Sequence, residues 1–474
     1  MKKIKILLLA FVAAFTVTSC FEDLDDNSIA SSDIKDFVWK GMNAVYLYKS
    51  EIPDLANDRF STNEEYANYL IDFESPEALF ESLLYLPDDV DRFSRITDNY
   101  FDLQNQQQGV SFSNGLEFNF YTLPDNDTEV YGVITLVLNN SVADNLGLQR
   151  GQIFRAIDGQ LLNRTNFRSL VGQNSYTLNF ADYNDNGTPE NDEDDTLTLN
   201  GESSALTKEE YTENPVHIVQ TLDVGNNIKV GYLMYNQFNS SFNNTLNDAF
   251  AQFQAEGVDE LVIDLRYNGG GSVQTAAYLG SMVTGQFTGE IYSKLFYNEN
   301  LQDNNQNFLF TNSISDGGAI NSLNLTKVYV LTTKLRTASA SELVINSLKP
   351  YIDVVVIGQN TVGKTQASIT VYDSPNLNFE NVNPNHTYAM QPLVANSTNV
   401  NDQLVPAEGL TPDIELSEVA RNFGTLGDAN EPLLAEAIAD ITNSGRLFIE
   451  NIDAPKPIKS KTLIPPVEQD MYID

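Results

Sequence analysis

The sequence predicts an α/β domain with a mostly parallel sheet, preceded by a β-domain and a small helical domain. Three observations predict this class. Strand-like runs at 327–331 and 353–358 flank a helix-like run at 342–348. Another apolar run, 258–266, leads into a glycine turn. Strands that alternate with helices form parallel sheets, whose sites lie at the carboxyl ends of the strands. Near Gly109 the hydrophobic period changes from helical spacing to strand-like runs, which marks the border between the first two domains.

Length and charge limit the possible functions. The chain has 474 residues and a formal net charge of −38, and this length fits roughly two to four domains. An acidic surface of this size repels nucleic acid, so we expect no nucleic-acid partner.

Residues 1–19 have a basic start and an apolar run too short to span a membrane, as in a secretory signal. The only cysteine, Cys20, follows at once in a pattern that resembles the lipobox of bacterial lipoproteins. That resemblance implies that Cys20 is acylated and anchors the protein to the membrane. The alternative is an ordinary signal peptide with an incidental cysteine. The acidic tether at 20–32 is similar to the export signal of Bacteroidetes surface lipoproteins, or is simply solvated. We expect an outer-membrane lipoprotein that faces the periplasm or the cell surface.

Residues 33–104 are predicted to form the small helical domain. Apolar residues recur at helical spacing between 33 and 50. Further on, Ser75-Pro76 is a helix start, with serine as the N-cap and proline at the first helical position. We find no chemistry in this region.

Residues 105–204 resemble a PDZ domain, with strand-like runs, a short helix start and a Gly-Leu-x-Phe sequence at 115–118. PDZ domains bind a peptide C-terminus as an added strand. The resemblance therefore implies that Gly115, Leu116 and Phe118 hold a peptide. The alternative is a purely structural β-domain.

An acidic loop inside this region fits the pattern of a calcium-binding loop, with Asp182, Asn184, Asn186 and Glu193 as oxygen ligands. Strand-like runs on both sides indicate a hairpin insertion rather than an EF-hand. The alternative is a solvated acidic loop. Calcium is the one cofactor that the sequence suggests, and we expect none to be required.

The candidate chemistry lies in a serine and a lysine 25 residues apart, Ser339 and Lys364. Ser339 is predicted to open a helix, and Lys364 follows the next strand, so the two side chains should meet at one sheet edge. A serine hydroxyl needs a base, but the two histidines, His217 and His386, have no catalytic sequence context. A buried lysine can serve if its pKa falls from about 10.4 toward roughly 7–8.

These motifs resemble a known family. Three motifs are similar to those of the serine–lysine C-terminal processing (tail-specific) peptidases. They are Thr-Ala-Ser-Ala-Ser-Glu at 337–342, Gly-x-x-x-x-Gly-Lys at 358–364, and the strand with its glycine turn at 261–271. The resemblance implies a ClpP/crotonase-like peptidase domain, here 205–450, that cleaves polypeptides with exposed C-termini. It assigns Ser339 as nucleophile and Lys364 as general base.

The same resemblance assigns an oxyanion hole to the amides of Ala340 and of Gly270 or Gly271. Members of the family often have a glutamine four residues after the lysine. Here that position is Ser368, whereas Gln366 lies two residues after the lysine, so both are candidates for the third catalytic residue.

Two other readings compete with an enzyme of this kind. Residues 358–365 satisfy the P-loop pattern, but a P-loop must open a helix, and 367–372 reads as a strand, so we expect no nucleotide. A surface lipoprotein that binds peptides without cleaving them is the other alternative. The proline- and lysine-rich residues 451–474 are predicted to form a flexible tail. The sequence does not predict the oligomeric state.

Overall fold

The computed structural model describes residues 34–123, 126–188, 194–334, 336–418, 423–443, 445 and 471–473. The predicted signal peptide, Cys20 and the acidic tether lie outside the described residues. Within the described part of the chain, no helix has both the length and the apolar character needed to cross a membrane.

The N-terminal region is mostly helical. Its elements are α1 (Ile34–Val45), α2 (Asn63–Ile71), α3 (Pro76–Ser82), β1 (Arg95–Thr97) and α4 (Tyr100–Gln107). The hydroxyls of Thr62 and Ser75 cap α2 and α3, each accepting a backbone N–H three residues on, as helix N-termini require. The buried face of α1, which includes Phe37 and Met42, belongs to the same hydrophobic core as Leu246 and Ile263 of the peptidase region. This region is therefore a layer of the main body of the protein.

The β-domain follows as an antiparallel sheet with two short helices. Its elements are β2 (Val110–Ser113), β3 (Leu116–Leu123), β4 (Asn126–Val137), α5 (Val142–Asn145), β5 (Ile153–Ile157), β6 (Gln160–Leu161), α6 (Phe167–Gly172), β7 (Ser175–Asn184), β8 (Thr196–Thr207) and β9 (Glu209–Thr212). The strand order is β3-β4-β5-β7-β8, with β6 paired to β5 and β2 paired to β9. The long β7–β8 pair is the hairpin that the sequence predicts around the acidic loop.

The predicted peptidase domain and the residues after it contain the remaining strands and α-helices. In chain order they are β10 (Val216–Asp223), β11 (Lys229–Tyr235), α7 (Asn243–Glu256), β12 (Glu260–Asp264), β13 (Gly271–Ser272), α8 (Val273–Thr284), β14 (Ile291–Tyr297), β15 (Gln306–Leu309), β16 (Lys327–Thr332), α9 (Ala340–Leu348), β17 (Asp353–Gly358), β18 (Gln366–Ser368), β19 (Val371–Tyr372), β20 (Ala389–Gln391), β21 (Leu393–Thr398), β22 (Ile414–Glu415), α10 (Pro432–Ile441) and β23 (Met471–Tyr472).

These strands form two large sheets and a small one. The first has the order β10-β11-β12-β16-β17-β22, and every pairing except β10–β11 is parallel. The second has the order β13-β23-β18-β21-β14-β15, with parallel pairs around β23 and antiparallel pairs elsewhere. The small sheet has the order β1-β20-β19.

The sheet core is therefore mixed, which corrects the prediction of a mostly parallel sheet. That prediction holds for the first sheet, where α7 and α9 connect parallel strands. In the second sheet β14 and β15 form a hairpin, and antiparallel neighbours of this kind need no crossover helix.

The first sheet is buried on both faces because successive side chains point to opposite sides of a strand. Leu233, Ile263 and Val330 face the core that contains helices α7, α8 and α9. Tyr232 and Val262 lie on the other face, against α10. Burial on both faces explains why these strands are continuous apolar runs in the sequence.

The predicted flexible tail is wrong for its last described residues. Met471 and Tyr472 form β23, inside the second sheet, and are almost fully buried. The prediction failed because a two-residue strand leaves no periodic signal, and its pairing partners are distant in sequence.

Candidate active site

Ser339 lies where the sequence predicts it, as the N-cap of α9 just beyond the carboxyl end of β16. Its backbone has φ 65° and ψ −117°, a strained conformation of the kind that costs a non-glycine residue about 1–3 kcal/mol and that clusters at active sites. The residue is fully buried. Within the described structure its Oγ has no hydrogen-bond partner.

The serine loop rests directly on the glycine turn that follows β12. The Thr337 hydroxyl donates to the Leu265 carbonyl at 2.8 Å. The Ala338 N–H and the Ser341 hydroxyl both donate to the carbonyl of Asn268, at 3.3 and 3.0 Å. These bonds join the loop that carries Ser339 to the predicted oxyanion turn.

Lys364 lies beyond the carboxyl end of the neighbouring strand β17, also as predicted, and is only 1% exposed. A loop of the N-terminal region covers it. The Nζ atom lies 5.0 Å from the centroid of the Phe93 ring. The adjacent Arg92 donates to the Gly363 carbonyl at 2.9 Å and to the Ala407 carbonyl at 3.2 Å.

Glu342 joins the two catalytic candidates. The Ser339 N–H and the Lys364 N–H both donate to its Oε2, at 2.7 and 2.9 Å. The Gly363 N–H donates to Oε1 at 2.7 Å, and the Thr361 hydroxyl also donates to Oε1. Because one oxygen binds both backbones, the two backbone nitrogens cannot be farther apart than the sum of those two distances. Full burial raises the pKa of this carboxyl above its usual value, although the four donors act to lower it.

The role of Glu342 is not among the sequence-based predictions. The signal was present, because a glutamate three residues after an N-cap serine is the arrangement of a capping box. Here the glutamate reaches past the N-cap amide to the loop that carries the lysine.

The glycine turn contributes unequally to the predicted oxyanion hole. The Gly270 N–H donates to Asn268 Oδ1 at 2.9 Å and is committed to the turn. Gly271 has φ 133°, and a Cβ there would lie 2.2 Å from the Phe238 carbonyl oxygen, so only glycine fits. Ala340 is the first residue of α9, where backbone N–H groups have no partner within the helix. The Gly270 amide is therefore the weaker candidate, and the assignment of the oxyanion hole stays a prediction.

A buried arginine, absent from the sequence-based predictions, lies between β12 and the glycine turn and binds three carboxylates. Arg266 is 0% exposed and donates to Asp264, Glu418 and Glu431, with closest distances of 2.6, 2.9 and 2.6 Å. Burial alone would raise the pKa of Asp264, but the guanidinium outweighs it and holds that pKa below its usual value. For Glu431 burial prevails, and the pKa is raised.

The β-domain reaches the same turn through Arg150. Its guanidinium hydrogen-bonds Tyr267 and Glu418 and lies 4.3 Å from the centroid of the Phe423 ring. Tyr267 is the residue after Arg266, and its hydroxyl also donates to Glu418 at 2.9 Å. Arg150 thus joins the β-domain to the residue that follows Arg266 through one side chain that is 8% exposed.

The two candidates for the third catalytic residue have other contacts. Gln366 donates to the Tyr48 hydroxyl at 2.9 Å, and Ser368 donates to the Met471 carbonyl at 3.2 Å. The choice between them stays a prediction.

One of the three predicted peptide-binding residues, Leu116, lines a cavity of about 200 Å³ between the β-domain and the glycine turn, together with Gly270 and Arg336. Gly115 is not among the lining residues; it has φ 82° and packs on Ser141. Phe118 packs against the core of the β-domain, with its ring 5.2 and 5.6 Å from those of Phe120 and Phe154, so the prediction that it lines this pocket is wrong.

The predicted calcium ligands lie at the tip of the β7–β8 hairpin, apart from this site. Asp182 accepts a hydrogen bond from Asn200 at 2.9 Å, and the Asn184 amide donates to Asn186 at 3.0 Å. Glu193 lies outside the described residues. Over the described ranges, no three His, Cys, Asp or Glu side chains are grouped to hold a metal ion. Calcium binding stays a prediction.

The segment 358–365, which satisfies the P-loop pattern, does not lead into a helix in the structure. A P-loop lysine starts a helix, whereas strand β18 begins two residues after Lys364. The local fold agrees with the expectation that this segment forms a strand.

Comparisons with known proteins agree with the geometry of this site. A model of the peptidase S41 N-terminal domain matches residues 33–95, and a model of peptidase family S41 matches residues 229–416. Together they account for more than half of the chain. The chain belongs to peptidase family S41. The resemblance to C-terminal processing peptidases is thus confirmed, and the second match contains Ser339, Lys364 and the glycine turn.

Individual S41 relatives extend this match. A carboxyl-terminal-processing protease of Picosynechococcus sp. is 27% identical over 295 residues, which are 61% of this chain and 63% of that relative. The crystal structure of a Bacteroides fragilis protein described as an S41 protease is 28% identical, with a TM-score of 0.69, and covers 86% of this chain and 97% of that one. The photosystem II D1 C-terminal processing protease shares the fold, at 18% identity and a TM-score of 0.50, over 86% of this chain and 98% of its own.

Proposed function

We propose that this S41 protein is a serine endopeptidase that cuts polypeptides near exposed C-termini, with Ser339 as nucleophile and Lys364 as general base. The observation that carries the proposal is the shared carboxylate oxygen of Glu342, which binds the backbone amides of both residues. The strained, unpartnered hydroxyl of Ser339 at a helix N-terminus supports it. The name of the cyanobacterial relative supports the substrate class.

The reaction follows from these roles. The neutral amine of Lys364 takes the proton of Ser339 as Oγ attacks the scissile carbonyl carbon. The oxyanion forms against the amides of Gly271 and Ala340. Lys364 returns the proton to the leaving amine, and an acyl-enzyme remains. A water molecule then gives a proton to the same lysine as it attacks the ester carbonyl. The lysine returns that proton to Ser339 Oγ as the ester C–O bond breaks, which releases the acid and restores the free serine and the neutral amine.

Two further parts of the proposal concern recruitment and location. We propose that the β-domain acts as a PDZ domain and presents substrate tails through the cavity beside Leu116. We also propose that Cys20 is lipidated and anchors the protein to the bacterial outer membrane, where the −38 charge keeps the body of the protein soluble.

The test is cleavage of an unfolded model protein by the form that starts after Cys20. We expect Ser339→Ala and Lys364→Ala each to lower the rate on the order of 10³-fold or more. Ser347→Ala is the matched control, because Ser347 is equally buried in the same helix. Equal cleavage by wild type and Ser339→Ala would place the nucleophile elsewhere. Tight peptide binding without cleavage would favour the non-catalytic alternative.

A further inference from the structure

A short segment of the chain, β23, lies between two strands that begin beside the candidate catalytic residues. β23 pairs in parallel with β13, through Gly271 with Met471 and Ser272 with Tyr472. On its other side it pairs in parallel with β18, through Tyr472 with Ser368. β13 starts in the predicted oxyanion turn, and β18 starts just after Lys364. We call the one-strand gap between β13 and β18 the slot.

Specific contacts hold the segment. The Ser368 hydroxyl donates to the Met471 carbonyl at 3.2 Å, and the Tyr472 hydroxyl donates to the Phe238 carbonyl at 3.4 Å. Met471 is 1% exposed and Tyr472 is 8% exposed. Among the described residues, β23 pairs with β13 over two positions and with β18 over one.

An empty slot would suit an extended polypeptide. Two strands with one missing between them are about 10 Å apart, twice the usual spacing. Each would then present an unpaired edge, and such edges bind peptides as added strands, largely through the backbone. The other edge of β13 is already taken, because Phe238 pairs with Gly270 and Ser272 there.

The nucleophile is closed off in this arrangement. Ser339 and its neighbours Ala338 and Ala340 have no exposed surface. A substrate strand beside Gly271 would lie next to the turn that carries the oxyanion candidate. The internal segment therefore lies where a substrate would be expected.

We propose that the slot is a binding site for extended polypeptide and that Met471 and Tyr472 occupy it as an internal competitor of the substrate. This inference rests on the proposed function, because it takes the substrate to be a polypeptide. Backbone pairing gives affinity for many sequences, and the buried Met471 position favours an unbranched apolar side chain.

The experiment compares the form that starts after Cys20 with a version that stops at Asp470. Removing the competitor should lower KM for an unfolded model protein about 10-fold or more if the slot is filled at least nine-tenths of the time, because apparent affinity scales with the competent fraction. kcat should change little. The synthetic peptide of residues 468–474 should inhibit the shortened enzyme competitively.

A second variant distinguishes removal of the competitor from general destabilisation of the fold. Met471→Asp places a charge at a buried position and should expel the segment, so that KM falls as in the shortened enzyme. Ile71→Asp, at a residue 73% exposed on α2, is the control and should leave KM unchanged. A lower melting temperature together with an unchanged or higher KM in both slot variants would show that β23 is structural and would overturn the proposal.

A binding measurement separates this inference from the proposed function. Fluorescence anisotropy of the labelled 468–474 peptide needs no catalysis and is made with the shortened Ser339→Ala protein. Peptide binding that the full-length Ser339→Ala protein does not show supports the slot even if no form cleaves. Absence of binding to the shortened protein rejects the slot even if every form cleaves.

Discussion

The contacts of Glu342 predict that Glu342→Gln separates activity from stability. Among the described residues, the carboxylate accepts four buried hydrogen bonds, two on each oxygen. A glutamine keeps one acceptor oxygen and presents an NH₂ group in place of the other. The less costly orientation turns NH₂ toward Thr361, whose hydroxyl can accept, and leaves the Gly363 N–H unpaired.

The magnitude follows from this count. One unpaired buried donor costs about 1–3 kcal/mol. The remaining bonds lose their charge assistance and about half of their strength. Against this, the raised pKa of Glu342 shows that burial penalises the ionised form, so a neutral side chain recovers part of the loss. We expect the free energy of unfolding to fall by about 2 kcal/mol or less.

The effect on catalysis should be larger. Weaker bonds to the Ser339 and Lys364 amides loosen the geometry of attack, and about 2.7 kcal/mol of lost transition-state stabilisation is a 100-fold drop in rate. We expect kcat to fall about 100-fold with KM nearly unchanged. Steady-state kinetics and urea unfolding measure the two effects. Glu436→Gln, at another buried glutamate, is the control and should alter neither kcat nor KM.

The pH profile distinguishes positioning from a general structural role. Because burial raises the pKa of Glu342, this carboxyl takes up a proton at a higher pH than an ordinary glutamate, and its protonation should mimic the glutamine variant. This loss adds to the fall in kcat that protonation of Lys364 causes in both forms. The wild type should therefore lose activity more steeply on acidification, and Glu342→Gln should lack only this additional fall. For stability the sign is opposite: a raised folded-state pKa favours folding most below the unfolded pKa, and this contribution is lost as the pH rises through the folded pKa. An acid limb of the same steepness in both forms, or an unchanged kcat, would refute the positioning role.

Three further outcomes are expected. Arg266→Met should lower the free energy of unfolding in urea by about 3–5 kcal/mol, because it leaves buried carboxylates without their positive partner. The control Arg155→Met removes a partly exposed ion pair with Glu129 and should lower that free energy by about 1 kcal/mol or less. Arg150→Leu should lower kcat/KM about 10-fold, roughly 1.4 kcal/mol. The same variant should still bind a peptide ligand at the cavity beside Leu116, as measured by calorimetry. kcat/KM, measured from neutral to alkaline pH, should rise as Lys364 loses its proton, and Glu342→Gln should keep that rise. A pH profile controlled by a group that titrates in the histidine range would contradict the lysine base.

The strand–helix–strand unit around the site was predictable because its signals are local. The predicted runs at 327–331 and 353–358 are strands β16 and β17, and the predicted helix lies within α9. Apolar strands buried on both faces and a helix of regular period leave few alternatives. The placement of Ser339 and Lys364 at adjacent strand ends follows from parallel topology alone.

The parts that sequence reasoning missed depend on pairs far apart in the chain. Arg266 and Glu431 are separated by 165 positions, and a buried ion pair has no periodicity to reveal it. β23 is too short for a pattern and is fixed by its neighbours, Gly271 and Ser368. The role of Glu342 could have been suspected from its capping position, but its bonds to Gly363 and Lys364 require the folded loop.

The closed state also limits how catalysis can begin. A scissile carbonyl must come within roughly 3–3.5 Å of the nucleophile, yet Ser339 has no exposed surface. Phe93 covers Lys364 from the N-terminal region, and Met471 fills the gap beside Gly271. Opening must therefore precede attack, and at low substrate concentration kcat/KM is its intrinsic value multiplied by the open fraction. Mutations in either cover act on that fraction, so they should change kcat/KM through KM without changing the dependence on Ser339 and Lys364, whereas Glu342→Gln lowers kcat itself.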